Sequence, residues 1–157
     1  MKKILFVCLG NICRSPLAEA IFNKLLKENK IKNIECDSAG TSDFHVNEKP
    51  DERTIEIAEK YNTPIHHFGR QFNKTDFTKY DYIIAMDNSN LKNILLVAEK
   101  YNIADLPAIK LMRDYDTLKP SADVPDPWYG NMNDFDECYK ILERCCENFL
   151  EEVRQVE

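Results

Sequence analysis

The chain has 157 residues, 43% of them hydrophobic and 31% charged with both signs mixed, which suits one domain with an ordinary core and argues against disorder. Its net charge of −6, with no long basic stripe to release counterions, argues against general nucleic-acid binding. An anionic ligand therefore has to be held by a local positive site.

Lys2 and Lys3 precede an apolar run that stops at Gly10 and Asn11. It is too short for a signal sequence, whose apolar region spans about 7–15 residues, and no stretch approaches a membrane span. Residues 4–8 form a continuous, branched apolar run, the pattern of a strand buried on both faces of a parallel sheet. Ser15 and Pro16 then suit the N-cap and first position of a helix, with Leu17, Ile21 and Leu25 as its buried stripe. Residues 34–39 read as a weaker strand stopped by Gly40. Residues 51–61 read as a helix with Ile55 and Ala58 on one face. A third strand is expected at 82–85, a helix at 88–101 with Leu91, Ile94, Leu95 and Ala98 in register, and a fourth strand at 108–112. Residues 113–133 hold three prolines and no periodicity, and a loop that long in a small domain is usually functional. The strongest helix covers 135–156, with Phe135, Cys138, Tyr139, Leu142, Cys146, Phe149 and Val153 on one face.

Alternating strands and helices predict an α/β fold: one domain over 1–157, a doubly wound parallel sheet of four strands with helices on both faces. Ligands of such sheets bind beyond the carboxyl ends of the strands, where the turn after residue 8 lies.

The six cysteines, at 8, 13, 36, 138, 145 and 146, have neither the density of a disulfide scaffold nor zinc-site spacing. Reduced thiols in a cytoplasmic protein fit best, with Cys36, Cys138, Cys145 and Cys146 as core thiols.

The turn reads Cys8-Leu9-Gly10-Asn11-Ile12-Cys13-Arg14-Ser15-Pro16. A Cys followed six positions later by an Arg is weak by itself, and Cys138 and Arg144 repeat it. That second pair lies mid-helix, where six residues set side chains about 240° apart, without a glycine or a helix start. In the first copy Gly10 and Asn11 tolerate left-handed backbone angles. Successive N–H groups of Leu9, Gly10, Asn11, Ile12 and Cys13 can then form an anion nest, reinforced by the positive end of the following helix. Arg14 can grip two phosphate oxygens with its planar fork. The same field favours the thiolate of Cys8, a covalent nucleophile beside bound phosphorus.

These residues resemble the low-molecular-weight protein tyrosine phosphatases, and the likeness spans most of the chain. Beyond the cradle turn it includes Ser38 to Ser42, Arg70-Gln71, Met86 to Leu91 and Asp126 to Tyr129. The resemblance implies hydrolysis of phosphotyrosine or small aryl phosphates without metal or other cofactor. It also implies inhibition by phosphate, vanadate or tungstate, and no nucleic-acid partner. It marks Asp126 as general acid and base, which a phenolate leaving group needs. Asn11 is marked as a brace, Ser15 as hydroxyl donor to the Cys8 sulfur, and His67 and Asp87 as a buried supporting pair. Phe44 and Tyr129 are marked as aromatic walls, with Trp128 beside them on the acid loop. Relatives often carry a second Cys at position 13, which implies a redox partner for Cys8. Phe44 stands where vertebrate relatives carry Trp, and Trp128 where they carry Tyr.

Four neighbouring readings are weaker. Thiol-based arsenate reductases need further cysteines near mid-chain, and residues 37–137 contain none. Protein-arginine phosphatases carry Thr where this chain has Ile12. A non-catalytic oxyanion-binding module or a dithiol redox protein would not need Asp126, and Cys8 and Cys13 lack the usual dithiol spacing.

Overall fold

A computed structural model describes residues 1–155. The sheet has four parallel strands in the order β2-β1-β3-β4, with β1 at Lys2–Cys8, β2 at Ile34–Gly40, β3 at Tyr82–Ala85 and β4 at Ala108–Leu111. Helices α1 (Arg14–Glu28), α2 (Glu52–Lys60), α3 (Asp76–Lys79), α4 (Asn88–Lys100) and α5 (Met132–Gln155) cover it. The expected four-stranded parallel sheet is present, and the expected end of the last helix at Val156 lies outside the described residues.

Strand β1 shows why its sequence carries no polar alternation. Ile4, Phe6 and Cys8 point into a core shared with α1, α2 and α5, while Leu5 and Val7 point into a second core with α3 and α4. Both faces of a period-two strand are thus dry. The first core is knitted by Phe6, Phe22 and Phe149, whose ring centroids lie 5.5–6.3 Å apart, a spacing that adds to area burial.

Chain order makes the site. From β1 the chain crosses to β2 on one side; from β3 it crosses to β4 on the other. The carboxyl edge between β1 and β3 is therefore the topological switch point, where such sheets open a crevice.

Several sequence expectations shift. Helix α1 begins at Arg14 with Cys13 at its N-cap position and no side-chain cap, so Ser15 is not the cap: its hydroxyl is turned back into the cradle. Leu25 is half-buried and Leu26 takes the core position. In α2, Thr54, Ile57 and Ala58 are buried and Ile55 only partly so. Leu95 of α4 is 43% exposed, because the helix buries a narrower face, built on Asn90, Ile94 and Ala98. Helix α3, four residues long, carries no apolar period that a sequence pattern could show. The long loop is not structureless: it holds 3-10 turns at Met112–Tyr115 and Pro127–Tyr129. Cys138, Cys145 and Cys146 lie in the core, but Cys36, on edge strand β2, is half-buried.

The same loop is anchored by one carboxylate. Asp116, its side chain fully buried, accepts from Arg113 Nε at 2.8 Å, Arg144 Nε at 2.8 Å, Arg144 Nη2 at 3.1 Å and the Leu118 N–H at 2.9 Å. The Arg144 and Arg113 guanidiniums hold its carboxyl well below the usual range. Arg144 is thus committed to the loop, and its chance pairing with Cys138 in sequence carries no site.

Candidate active site

Cys8 ends β1, and α1 starts at Arg14, so the intervening turn must reverse direction in five residues. Asn11 makes the reversal with φ 57°, a left-handed conformation that Asn tolerates better than most residues. Gly10 does not share this role, since no glycine has positive φ. Its smallness has another use: a Cβ there would meet His45 Cδ2 at 3.1 Å. Gly40, at the end of β2, is where close approach is strict. A Cβ on it would lie 2.7 Å from the Leu9 carbonyl oxygen, while Thr41 N–H donates to Cys8 O at 2.9 Å and Ser42 N–H to Leu9 O at 3.0 Å.

Asn11 is 1% exposed and saturated. Its Nδ2 donates to Ser15 Oγ at 2.8 Å and Ser38 Oγ at 3.0 Å, and its Oδ1 accepts from Arg70 N–H at 3.0 Å and from His67 Nε2 at 2.7 Å. Two donors and two acceptor positions are all used. The turn is therefore pinned from α1, β2 and the segment after α2 at once, a rigidity that suits a preorganised site.

The Cys8 sulfur receives the Asn11 N–H at 3.3 Å and lies 3.0 Å from Ser15 Oγ. Because Asn11 Nδ2 already donates to that hydroxyl oxygen, the Ser15 proton is free to point at sulfur. Both contacts aim a donor at the sulfur that would attack phosphorus.

Arg14 is 3% exposed. Its Nη1 donates to Asp87 Oδ2 at 2.7 Å and to the Val124 carbonyl at 3.0 Å, and its Nη2 lies 3.6 Å from Asp126 Oδ2. Burial alone would lower its pKa; the negative charge of Cys8 and the Asp87 hydrogen bond outweigh burial and raise it. Asp87 follows β3 and caps α4 through the Asn90 N–H at 2.7 Å. It thus fixes the guanidinium from the other side of the switch point.

Asp126 caps the 3-10 turn Pro127–Tyr129 by accepting the Trp128 N–H at 3.1 Å. This brings it to a cleft of about 240 Å³ lined by Cys8, Cys13, Arg14, Phe44, Asp126 and Tyr129. Leu9, Gly10, Ile12, His45 and Trp128 complete the lining. Phe44 is 73% exposed and Tyr129 92% exposed, so both stand at the rim. A larger groove, about 560 Å³, runs beside α1 past Lys24, Asn62 and His66, away from the nucleophile.

The expected His67–Asp87 pair is not formed. His67 contacts Asn11, Ser38 and Glu19, whereas Asp87 contacts Arg14 and Asn90. The two brace opposite sides of the turn, one through the loop amide and one through the guanidinium. Sequence reasoning also passed over Glu19, which accepts from Ser38 Oγ at 2.8 Å, His45 in the cleft lining and Arg53 beside Trp128. Arg53 lies 5.5 Å from the Trp128 ring and 4.6 Å from the Phe135 ring, held by Asp51. No spacing rule links these residues; their shared place is created by folding.

The family model described as low molecular weight phosphotyrosine protein phosphatase matches residues 3–157. The chain belongs to that family. The phosphatase of this name from Gallus gallus is 43% identical over 153 residues, covering 96% of this chain and 95% of its own. The crystal structure of an Entamoeba histolytica protein tyrosine phosphatase with Hepes in its active site superposes with TM-score 0.90, at 36% identity, over 99% of this chain and 98% of that one. The structure of DARP, a drosophila arginine phosphatase, superposes with TM-score 0.92 at 33% identity over the full length of both. As a member of this cysteine-based family, the phosphatase described here is a phosphotyrosine phosphomonoester hydrolase.

Proposed function

We propose the following roles for the site residues. The phosphate of a tyrosine-phosphorylated protein or small aryl phosphate enters the turn. The N–H groups of Leu9, Gly10, Asn11, Ile12, Cys13 and Arg14, and the Arg14 guanidinium, bind its oxygens. The Cys8 thiolate attacks phosphorus in line, forming an S–P bond as the P–O bond to the aryl group breaks. Asp126 delivers a proton to the departing phenolate. The Asp126 carboxylate then takes a proton from water, whose oxygen attacks the phosphocysteine and returns Cys8 as thiolate with inorganic phosphate. Ser15 and the Asn11 N–H stabilise the sulfur as leaving group. Phe44 and Tyr129 flank the ring of the substrate, with Trp128 alongside.

The observation that carries this reading is the convergence of a hydrogen-bonded Cys8 sulfur, Arg14 and Asp126 on one cleft. Ile12 lines that cleft and offers an apolar side chain where protein-arginine phosphatases carry Thr, which favours the tyrosine reading over the arginine one. We place the enzyme among reduced thiols, in the cytoplasm.

The deciding experiment compares hydrolysis of an aryl phosphate by the parent and Cys8→Ser. The Ser variant should lose turnover while keeping tungstate affinity within a fewfold, since backbone N–H groups and Arg14 make most of the cradle. Vanadate should inhibit the parent and chelator should not. Full activity in Cys8→Ser, or loss with chelator, would refute the phosphocysteine route.

A further inference from the structure

Helix α4 has two faces of different character. One buries Asn90, Ile94 and Ala98, the last two in the second core. The other carries Leu95 and Leu96, 43% and 48% exposed, flanked by the exposed Lys92 and Glu99. With Asn88 and Leu91 these side chains line a shallow depression of about 290 Å³. Large apolar side chains grouped on an outer helix face mark a contact surface, as scattered ones do not.

The order of these residues is the one a two-fold axis requires. Lys92 stands three positions before Leu95, and Glu99 three positions after Leu96. The two charges are thus nearly two full turns apart, on one stripe, about 10 Å along the axis. Side chains so far apart do not pair within a helix, and neither forms an ion pair with any of the described residues. A second α4, laid antiparallel about an axis through the midpoint of Leu95 and Leu96, sets each Lys92 beside Glu99 of the other copy. It also sets each Leu95 against Leu96 of the other copy. An isologous contact must be self-complementary in this way. A parallel pairing would instead set Lys92 on Lys92 and Glu99 on Glu99. We propose that the outer face of α4 is a homodimer interface, on which a second copy of this chain docks antiparallel over Leu95 and Leu96 with a Lys92–Glu99 pair at each edge.

The terms divide between the two kinds of residue. Covering the leucines supplies the attraction, about 25 cal/mol per Å² of apolar surface removed from water. The charges set polarity and register: an exposed ion pair contributes little, but like charges placed opposite each other oppose docking. A patch this small gives a weak dimer that forms as concentration rises. The contact uses no part of the catalytic cleft, since none of the six residues lines it.

Sedimentation equilibrium of the reduced parent from about 1 μM to 1 mM should show a monomer–dimer equilibrium. Leu96→Asp, a change at an exposed side chain that leaves both cores alone, should remove the dimer. Lys92→Glu and Glu99→Lys each occur twice in a dimer and should each weaken association at least about tenfold. An equimolar mixture of these two variants should regain the parent's affinity, because the acidic face of one meets the basic face of the other. Hydrolysis of an aryl phosphate at the parent's rate shows that each variant is folded. A parent that stays monomeric at about 1 mM, a dimer indifferent to Leu96→Asp or to the charge changes, or a mixture that stays dissociated would overturn the proposal.

Discussion

Asp126 uses one oxygen to cap the turn that carries it and aims the other at Arg14, 3.6 Å away. Substitution by Asn can keep the capping oxygen but removes the transferable proton and the charge that faces Arg14. Asp126→Asn should therefore slow hydrolysis by about 10²–10⁴-fold for a poor leaving group and much less for a nitrophenolate. Equal losses across a leaving-group series would remove Asp126 from the acid role. The two cysteines of the cradle differ in a way that sets the oxidation chemistry. Cys13 is 5% exposed, and burial pushes its thiol up to about 12, so it attacks slowly. Peroxide should oxidise Cys8 to the sulfenic acid with loss of water. The Cys13 thiol should then displace a second water to form the disulfide, more slowly than the first step. Dithiothreitol should restore the parent and restore Cys13→Ser less, with a Cys8–Cys13 linked peptide in the parent map. Equal recovery, or no linked peptide, would remove Cys13 as the resolving thiol.

At the scale of elements, Asp126, the proposed acid, is carried at the cap of a short 3-10 turn rather than by a long helix or a strand. The turn is fastened by its Asp cap and by Trp128, whose ring lies near Arg53 and 6.1 Å from His45. Trp128 is the single tryptophan and is 40% exposed, so its emission reports on this turn alone. Saturating tungstate should shift that emission in the parent as the turn settles over the cradle. An unchanged spectrum at confirmed saturation would mean that the turn does not respond to the ligand. Helix α4 shows the opposite dependence: its capping Asp87 also positions Arg14, so one residue both starts a helix and completes the site.

Across the whole molecule, the long loop carrying Asp126 is held to α5 by the Asp116 cluster. The Asp116 carboxyl titrates lower in the folded chain than the usual value of about 3.9. A depressed folded pKa contributes stability that is present above the unfolded value and lost as pH falls through the folded one. Asp116→Asn should cost about 3 kcal/mol at neutral pH, because the buried Arg113 and the half-buried Arg144 lose their shared counter-ion. The difference between parent and variant should shrink below about pH 4. Thermal midpoints of both from pH 3 to 7 check this, and a pH-independent difference would show that Asp116 acts by packing.

Much of this molecule could be read before folding was considered. The four strands stand within a few residues of their expected places, because a strand buried on both faces must be continuously apolar, and that is a local property. The turn from Cys8 to Arg14 was legible for a similar reason: nucleophile, αL residue, guanidinium and helix start are contiguous. What lay beyond reach depends on distant partners. Ser15 looked like a cap, yet a buried sulfur and Asn11 claim its hydroxyl. Leu95 fitted the helical period, yet α4 buries only the face of Asn90, Ile94 and Ala98. His67 and Asp87 brace the same turn from separate sides, a relation that no spacing encodes. By itself, the sequence determined the strands, the nucleophile turn and the chemistry it can support, since these rest on neighbouring residues and on side-chain type. Only the tertiary structure decided which carboxylate meets Arg14, what satisfies Asn11, and that Glu19 and Asp37 meet His67, because the sheet's switch point and helix packing bring together residues far apart in the chain.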